Sequence, residues 1–336
     1  MSRGGPWPHV GLAAAAVAAA AVLADPAAEV EEAFTLADRE IAESSGLVQQ
    51  DGLVLTVNDS GGDPVIYAVD PESGETVGRT TYTSDEVEDV EAMAVGPDGT
   101  VWVGDIGDNG ADRDSIALYA VPPVGRGDST VEAPRYELTY NGGARDAETL
   151  LADPRDGRLY VVSKQPFGGA VFAVPDPLQE DGSNVLREVT AVNGFLTDGT
   201  FTADGRHALL RGYGRVWLAE TDRWRYLANM PLPDQRQGEG ITVTDDPETF
   251  LISSEGAGTA VLSVPMAEDM AAALRGEDSS EAPPATTEDE EDAGEDEGVP
   301  ALRVVGVVAG GVVALLALAA AVALLRGARR RGRWRP

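Results

Sequence analysis

Cysteine is absent from the 336 residues, so no disulfide framework, thiol nucleophile or Cys-ligated zinc is available. Histidine is nearly absent. His9 falls in the N-terminal apolar leader and His207 directly follows the Asp204-Gly205 turn, away from the acid-bearing strand ends, so a Ser-His-Asp triad or a His-ligated metal has no material. Lys164 is the single lysine. Bases are scarce altogether, with 25 Lys and Arg against 57 Asp and Glu and a net charge of −32. Such a chain repels phosphate backbones, which excludes nucleic acid as a partner. Any catalysis must therefore draw on carboxylates, Lys164 or a bound cation.

Long apolar runs occur only near the two ends. Residues 1–24 read as a secretory signal peptide, with Arg3 ahead of the apolar Val10–Leu23 and small Ala24 at the cleavage position. A retained N-terminal anchor is the alternative. Val304–Leu325 is uncharged and long enough to cross a bilayer as a helix. Six arginines follow it, from Arg326 to Arg335, so the positive-inside bias puts the C-terminus in the cytoplasm. The expected order is a signal peptide (1–24), an extracellular domain (25–276), an acidic disordered stalk (277–300), a transmembrane helix (301–326) and a basic cytoplasmic tail (327–336). The expected location is the cell membrane, single-pass, with the lipid bilayer met by residues 304–325. The stalk carries eleven acids and no base, which suits a solvated spacer better than a calcium buffer.

Between these ends one hairpin pattern returns five times. Its clearest copy is DVEAMAVGPDGTVWVGDIGDN (Asp89–Asn109), an apolar run, an Asp-Gly turn and a β-branched run ending in an acidic loop. The turn positions Gly52, Gly99, Gly157, Gly205 and Glu248 recur at intervals of about 47, 58, 48 and 43 residues, the spacing of propeller blades. Each copy is followed by an Ile/Val-Tyr/Trp-Ala-Val type run, and the first four also by a weaker fourth strand. The fifth lacks its fourth strand, and Glu31–Glu40 is placed to supply it and close the ring. The expected fold is all-β, a propeller of five four-stranded blades, with room for a sixth in the long second interval, plus the C-terminal transmembrane helix. A β-sandwich would need no such period.

The starts of the first strands and the ends of the second fall on one face, near the channel. That face receives Asn58 and Asp59, Glu91 with Asp105, Asp108 and Asn109, Glu148 with Lys164, Arg211, and Glu239 with Glu255. Two readings stand side by side. In one, the acids satisfy backbone N–H groups at strand ends, and the equivalent repeat positions of Glu91, Glu148 and Glu239 favour this. In the other, they hold a hard cation such as Ca²⁺, with Asp105, Asp108 and Asn109 as metal candidates. Lys164 and Glu148 read as an ion pair, with a desolvated, low-titrating lysine as the alternative.

The stretches DVEAMAVGPDGTVWVGDIGDN and RDAETLLADPRDGRLYVVSK, and QGEGI followed by SSEG, resemble secreted actinobacterial β-propeller proteins of the WD-repeat-like or lactonase-like kind. The resemblance implies a propeller, and for its lactonase-type members a metal held at the pore by Glu, Asn and Asp. It carries no residue-by-residue ligand order onto this chain. The leading expectation is a membrane-anchored module that binds an extracellular ligand or protein through its acidic pore face. The alternative is a cation-dependent hydrolase of a lactone or phosphoester at the same face.

Overall fold

The computed structural model describes residues 29–277 except positions 60, 61, 84, 86 and 167. The signal peptide, nearly all of the stalk, the transmembrane helix and the basic tail lie outside the described residues. Among those described, no helix is long and apolar enough to cross a membrane.

Strands dominate. After β1 (Glu31–Thr35) come β2 (Ser44–Gln50), β3 (Leu53–Asn58), β4 (Val65–Val69) and β5 (Thr76–Thr81), the first blade. The second has β6 (Val90–Val95), β7 (Val101–Asp105) and β8 (Ile116–Val121), then β10 (Arg135–Tyr140) beyond a two-residue β9 (Ser129–Thr130). The third is β11 (Ala147–Ala152), β12 (Leu159–Ser163), β13 (Gly169–Ala173) and β14 (Asn184–Val192). The fourth is β15 (Leu196–Phe201), β16 (His207–Gly212), β17 (Arg215–Glu220) and β18 (Arg225–Pro231). The fifth joins β19 (Gly238–Val243), β20 (Thr249–Ser254) and β21 (Ala260–Pro265) to β1, which pairs antiparallel with β21. The N-terminal strand thus completes the last sheet, as the repeat demanded.

The inner strands close a cycle: β2 contacts β6, β6 contacts β11, β11 contacts β15, β15 contacts β19, and β19 returns to β2. The hydrophobic core divides the same way. Five buried clusters fill the five gaps between neighbouring sheets, for example Leu55, Met93 and Tyr119 between the first and second, and Phe34, Leu47 and Val261 between the fifth and first. Side chains alternate along a strand, so Val161 packs into the gap on one side of its blade and Val162 into the gap on the other. Both faces are buried, which is why these strands read as continuous apolar runs. The result is a propeller-like ring of five blades, the second and third joined into one eight-stranded sheet.

Among the described residues no sixth blade forms. The long second interval is spent on the loop after β7 and on the segment carrying β9, which pairs parallel with β5 and covers that edge. The edges β10 and β14 cover each other by parallel pairing. The exposed side of β18 meets a helix the sequence reading missed, α1 (Glu268–Arg275). Its apolar residues Met270 and Ala271 are buried, and Gly276 ends it in the left-handed conformation at φ 73°. Eight residues give too short a period to stand out beside the stalk.

Candidate functional site

Every inner hairpin is interrupted at the same level. The register of the first strand against the second slips once per blade, at Gly46, Glu91, Glu148 and Thr197, and over Glu239–Gly240. A bulge of this kind re-aims the side chain it carries. Three of the five positions are glutamates, and all three are buried: Glu91 at 4 %, Glu148 at 5 % and Glu239 at 5 % exposure. Adjacent blades also lock these bulges together. Ser45 Oγ donates to the Glu91 carbonyl at 2.6 Å, and Thr197 Oγ1 to the Gly238 carbonyl at 3.1 Å.

Around the glutamates the structure gathers further charge. Asp59, Asp89 and Glu91 each offer a carboxylate oxygen, and the three oxygens lie within 4.8 Å of one another. This is the one such metal-capable group among the described residues. Glu91 is pushed well above the ordinary carboxylate range, first by burial, then by the charges of Glu148, Asp59 and Asp89. Glu148 binds Lys164 Nζ through Oε1, while its Oε2 is buried with no hydrogen-bond partner. Burial alone would lower the Lys164 ammonium, but the charges of Glu148 and Glu239 outweigh it and carry its pKa upward, the opposite direction to a low-titrating lysine, while burial carries Glu148 well above the ordinary carboxylate range. Burial pushes Glu239 up to about 7, against the pull of Lys164 and Arg211.

Arg211 lies deeper. It is fully buried, donates to the carbonyls of Gly240 and Ser253 and to the Gln235 side chain, and is lowered to about 10 by burial. Asp198 sits one position past the glutamate level and accepts from the Ile241 N–H at 2.8 Å, tying the fourth blade to the fifth. At the opposite end of the channel all five inner strands line a cavity of about 260 Å³ with residues such as Met93, Leu150, Phe201 and Val243 and no acid. His207 is at that end too, beside Asp204.

The remaining sequence candidates separate from this cluster. Asp105 accepts from the N–H groups of Glu88 (3.1 Å) and Asp89 (3.0 Å) and pairs with Arg113 at 2.9 Å. Asp108 accepts from the N–H groups of Asp112 and Arg113, and Asn109 is exposed. The oxygens of Asp105 and Asp108 are thus engaged by the protein's own donors. Asn58 ties the end of β3 to Ala42 and Glu43 through Oδ1 and to the Glu40 carbonyl through Nδ2. Glu255 accepts from Gln237. The Asp105–Asn109 loop nevertheless has a place in the site. Its Gly107 lies so close that a Cβ there would fall 2.6 Å from Asp89 Oδ2 and 2.8 Å from Glu91 Cγ. The loop backbone is the wall against which Asp89 and Glu91 are held. Sequence reasoning placed Asp89 at the hairpin start yet favoured Asp105, because spacing does not show which acid has its oxygens filled.

No family model matches the sequence, and no curated protein matches it. Among solved structures, a gluconolactonase from Xanthomonas campestris is 16 % identical with a TM-score of 0.43, covering 69 % of this chain and 89 % of its own. The hydrazine synthase of Kuenenia stuttgartiensis is 13 % identical with a TM-score of 0.34, covering 52 % of this chain and 45 % of its own. Likenesses of this size carry no argument about chemistry, and nothing in them bears on an actinobacterial or secreted origin.

Proposed function

We propose that the protein is a cation-dependent hydrolase of neutral cyclic esters, with its site at the acidic mouth of the ring. The observation that carries this reading is the group Asp59, Asp89 and Glu91, three oxygen donors within 4.8 Å from two adjacent blades. All-oxygen, anionic donors suit a hard divalent cation such as Ca²⁺. The buried, unpartnered Oε2 of Glu148 is the second feature that fits, because Glu148 is the strongest charged neighbour of Glu91. A bound cation supplies polarisation of an ester carbonyl. The chain supplies the rest. Glu239, with a pKa of about 7, is matched to taking a proton from attacking water near neutrality. The water oxygen bonds to the carbonyl carbon, the ring C–O bond breaks, and the departing alkoxide takes up the proton that Glu239 received, giving the open-chain hydroxy acid.

Charge selects between the two ester classes. Glu91, Glu239, Asp59, Asp89 and Asp146 face the mouth against Lys164, which is itself engaged by Glu148. A phosphoester enters this field at a cost that a neutral lactone does not meet. The same mouth serves a non-catalytic binding module equally well in one respect: Lys164 Nζ is engaged by Glu148 and offers no free nucleophile. Anchoring through residues 304–325, with the ring outside the cell, remains part of the proposal and rests on the sequence.

The test is a calcium, magnesium and manganese titration of metal-stripped protein followed by melting temperature, run beside a lactone and phosphoester panel. The expected result is a rise of several degrees with at least one ion and turnover of lactones, both lost in Glu91→Gln. A rise without turnover supports the binding module. No shift at millimolar ion sinks the cation site.

A further inference from the structure

The mouth has a second chemical character beside its acids. Among the described residues five large apolar side chains are exposed, and the two aromatic ones stand together on the fourth blade. Phe195, just before β15, is 38 % exposed, and Tyr213, in the turn after β16, is 40 % exposed. Their ring centres are 5.9 Å apart with planes at 34°. Lys164 Nζ lies 4.8 Å from the centre of the Phe195 ring and 5.4 Å from that of Tyr213, and 3.3 Å from the Tyr213 hydroxyl. The pair thus abuts the ammonium that Glu148 holds, with Glu239 the strongest charge acting on Tyr213.

The display is built into the chain. Gly194 adopts φ +107°, and a Cβ there would fall 2.9 Å from the Trp217 ring. At Gly212 a Cβ would fall 2.6 Å from the Phe195 carbonyl oxygen. Behind them Trp217 stacks on Tyr226 at 5.9 Å and 21°, and the Tyr226 hydroxyl donates to the Asn193 carbonyl at 2.6 Å. Two small residues and an aromatic buttress fix the segment that presents Phe195. Scattered exposed apolar residues such as Val30 and Val185 need no explanation, but two rings converging on a polar centre do.

We propose that Phe195 and Tyr213 form a stacking subsite for a flat, uncharged ring carried by the substrate. The preferred substrate is then a lactone bearing an aryl substituent, an inference that rests on the hydrolase reading of the mouth. Charge narrows the occupant. An anion meets Glu239 and Glu148, and a second cation meets the Lys164 ammonium already set against both rings. A neutral ring meets neither penalty and gains stacking beyond its buried area.

The test compares γ-butyrolactone with its phenyl-substituted derivative, and the corresponding lactams as non-hydrolysed ligands, on the full chain. Wild type is expected to favour the phenyl lactone in kcat/KM. Phe195→Ala should cut that preference about tenfold, and Phe195→Trp should restore it. Equal loss on both lactones, or no preference in wild type, overturns the subsite. If wild type turns over neither lactone, calorimetry with the lactams decides. Tighter binding of the phenyl lactam, lost in Phe195→Ala, upholds the subsite while the hydrolase reading falls. Equal binding of both lactams, or binding of neither, overturns the subsite as well.

Discussion

Two sets of acids stand at the same end of the ring and differ in what occupies their oxygens. Asp105 and Asp108 are buried, yet the oxygens of Asp105 are filled by the N–H groups of Glu88 and Asp89 ahead of β6 and by the Arg113 side chain, and those of Asp108 by N–H groups of its own loop. Glu91, Glu148 and Glu239 are equally buried, but they sit at bulges in the ladder, and Glu148 Oε2 has no hydrogen-bond partner. Their compensation comes from the Lys164 ammonium, from Arg211 and the Gln237 side chain at Glu239, and, in the proposed state, from a cation. Burial penalises a carboxylate in both places. Only the first set is stabilised locally, so the second is where charge remains available for a ligand.

That contrast can be broken most sharply at Lys164. Lys164→Met leaves Glu148 buried without its partner, and a loss of about 3–5 kcal/mol in urea unfolding is expected, most of it recovered by adding Glu148→Gln. A single variant as stable as wild type would mean the pair is not charged. Asp105→Ala probes the other set. It strips two N–H groups and Arg113 of their acceptor, for about 3 kcal/mol of destabilisation, while leaving Asp59, Asp89 and Glu91 chemically intact.

The pH dependence separates the sets without removing either. Glu239 titrates near 7 in the folded protein against about 4.3 unfolded, so the native state binds its proton more tightly. Its contribution is complete below the unfolded value and is lost as pH rises through about 7. In metal-free buffer, stability should fall by about 3–4 kcal/mol over that window, and Glu239→Gln should flatten the curve. A flat wild-type curve would place Glu239 in the same class as Asp105. The smallest effect tests the link between the sets. Gly107→Ala forces a Cβ against Asp89 and Glu91, costing about 1–2 kcal/mol and lowering cation affinity in the same titration. Unaltered affinity would separate the loop from the cluster.

Much of this was legible in the chain. The recurring Asp-Gly turns and apolar runs determine the five blades, and the missing fourth strand of the last repeat determines that β1 must close the ring. The acids at the ends of the inner hairpins follow from antiparallel pairing. These are local properties, set by turn chemistry and side-chain alternation within about a dozen residues. The tertiary structure alone decided that Asp59 meets Asp89 and Glu91, that Asp105 is saturated, and that Lys164 from the third blade meets Phe195 and Tyr213 from the fourth. Those contacts join residues from neighbouring repeats. Whether a carboxylate is filled depends on which N–H groups the adjacent blade and loop bring to it, and a one-residue bulge changes that without leaving a mark in the hydrophobic pattern.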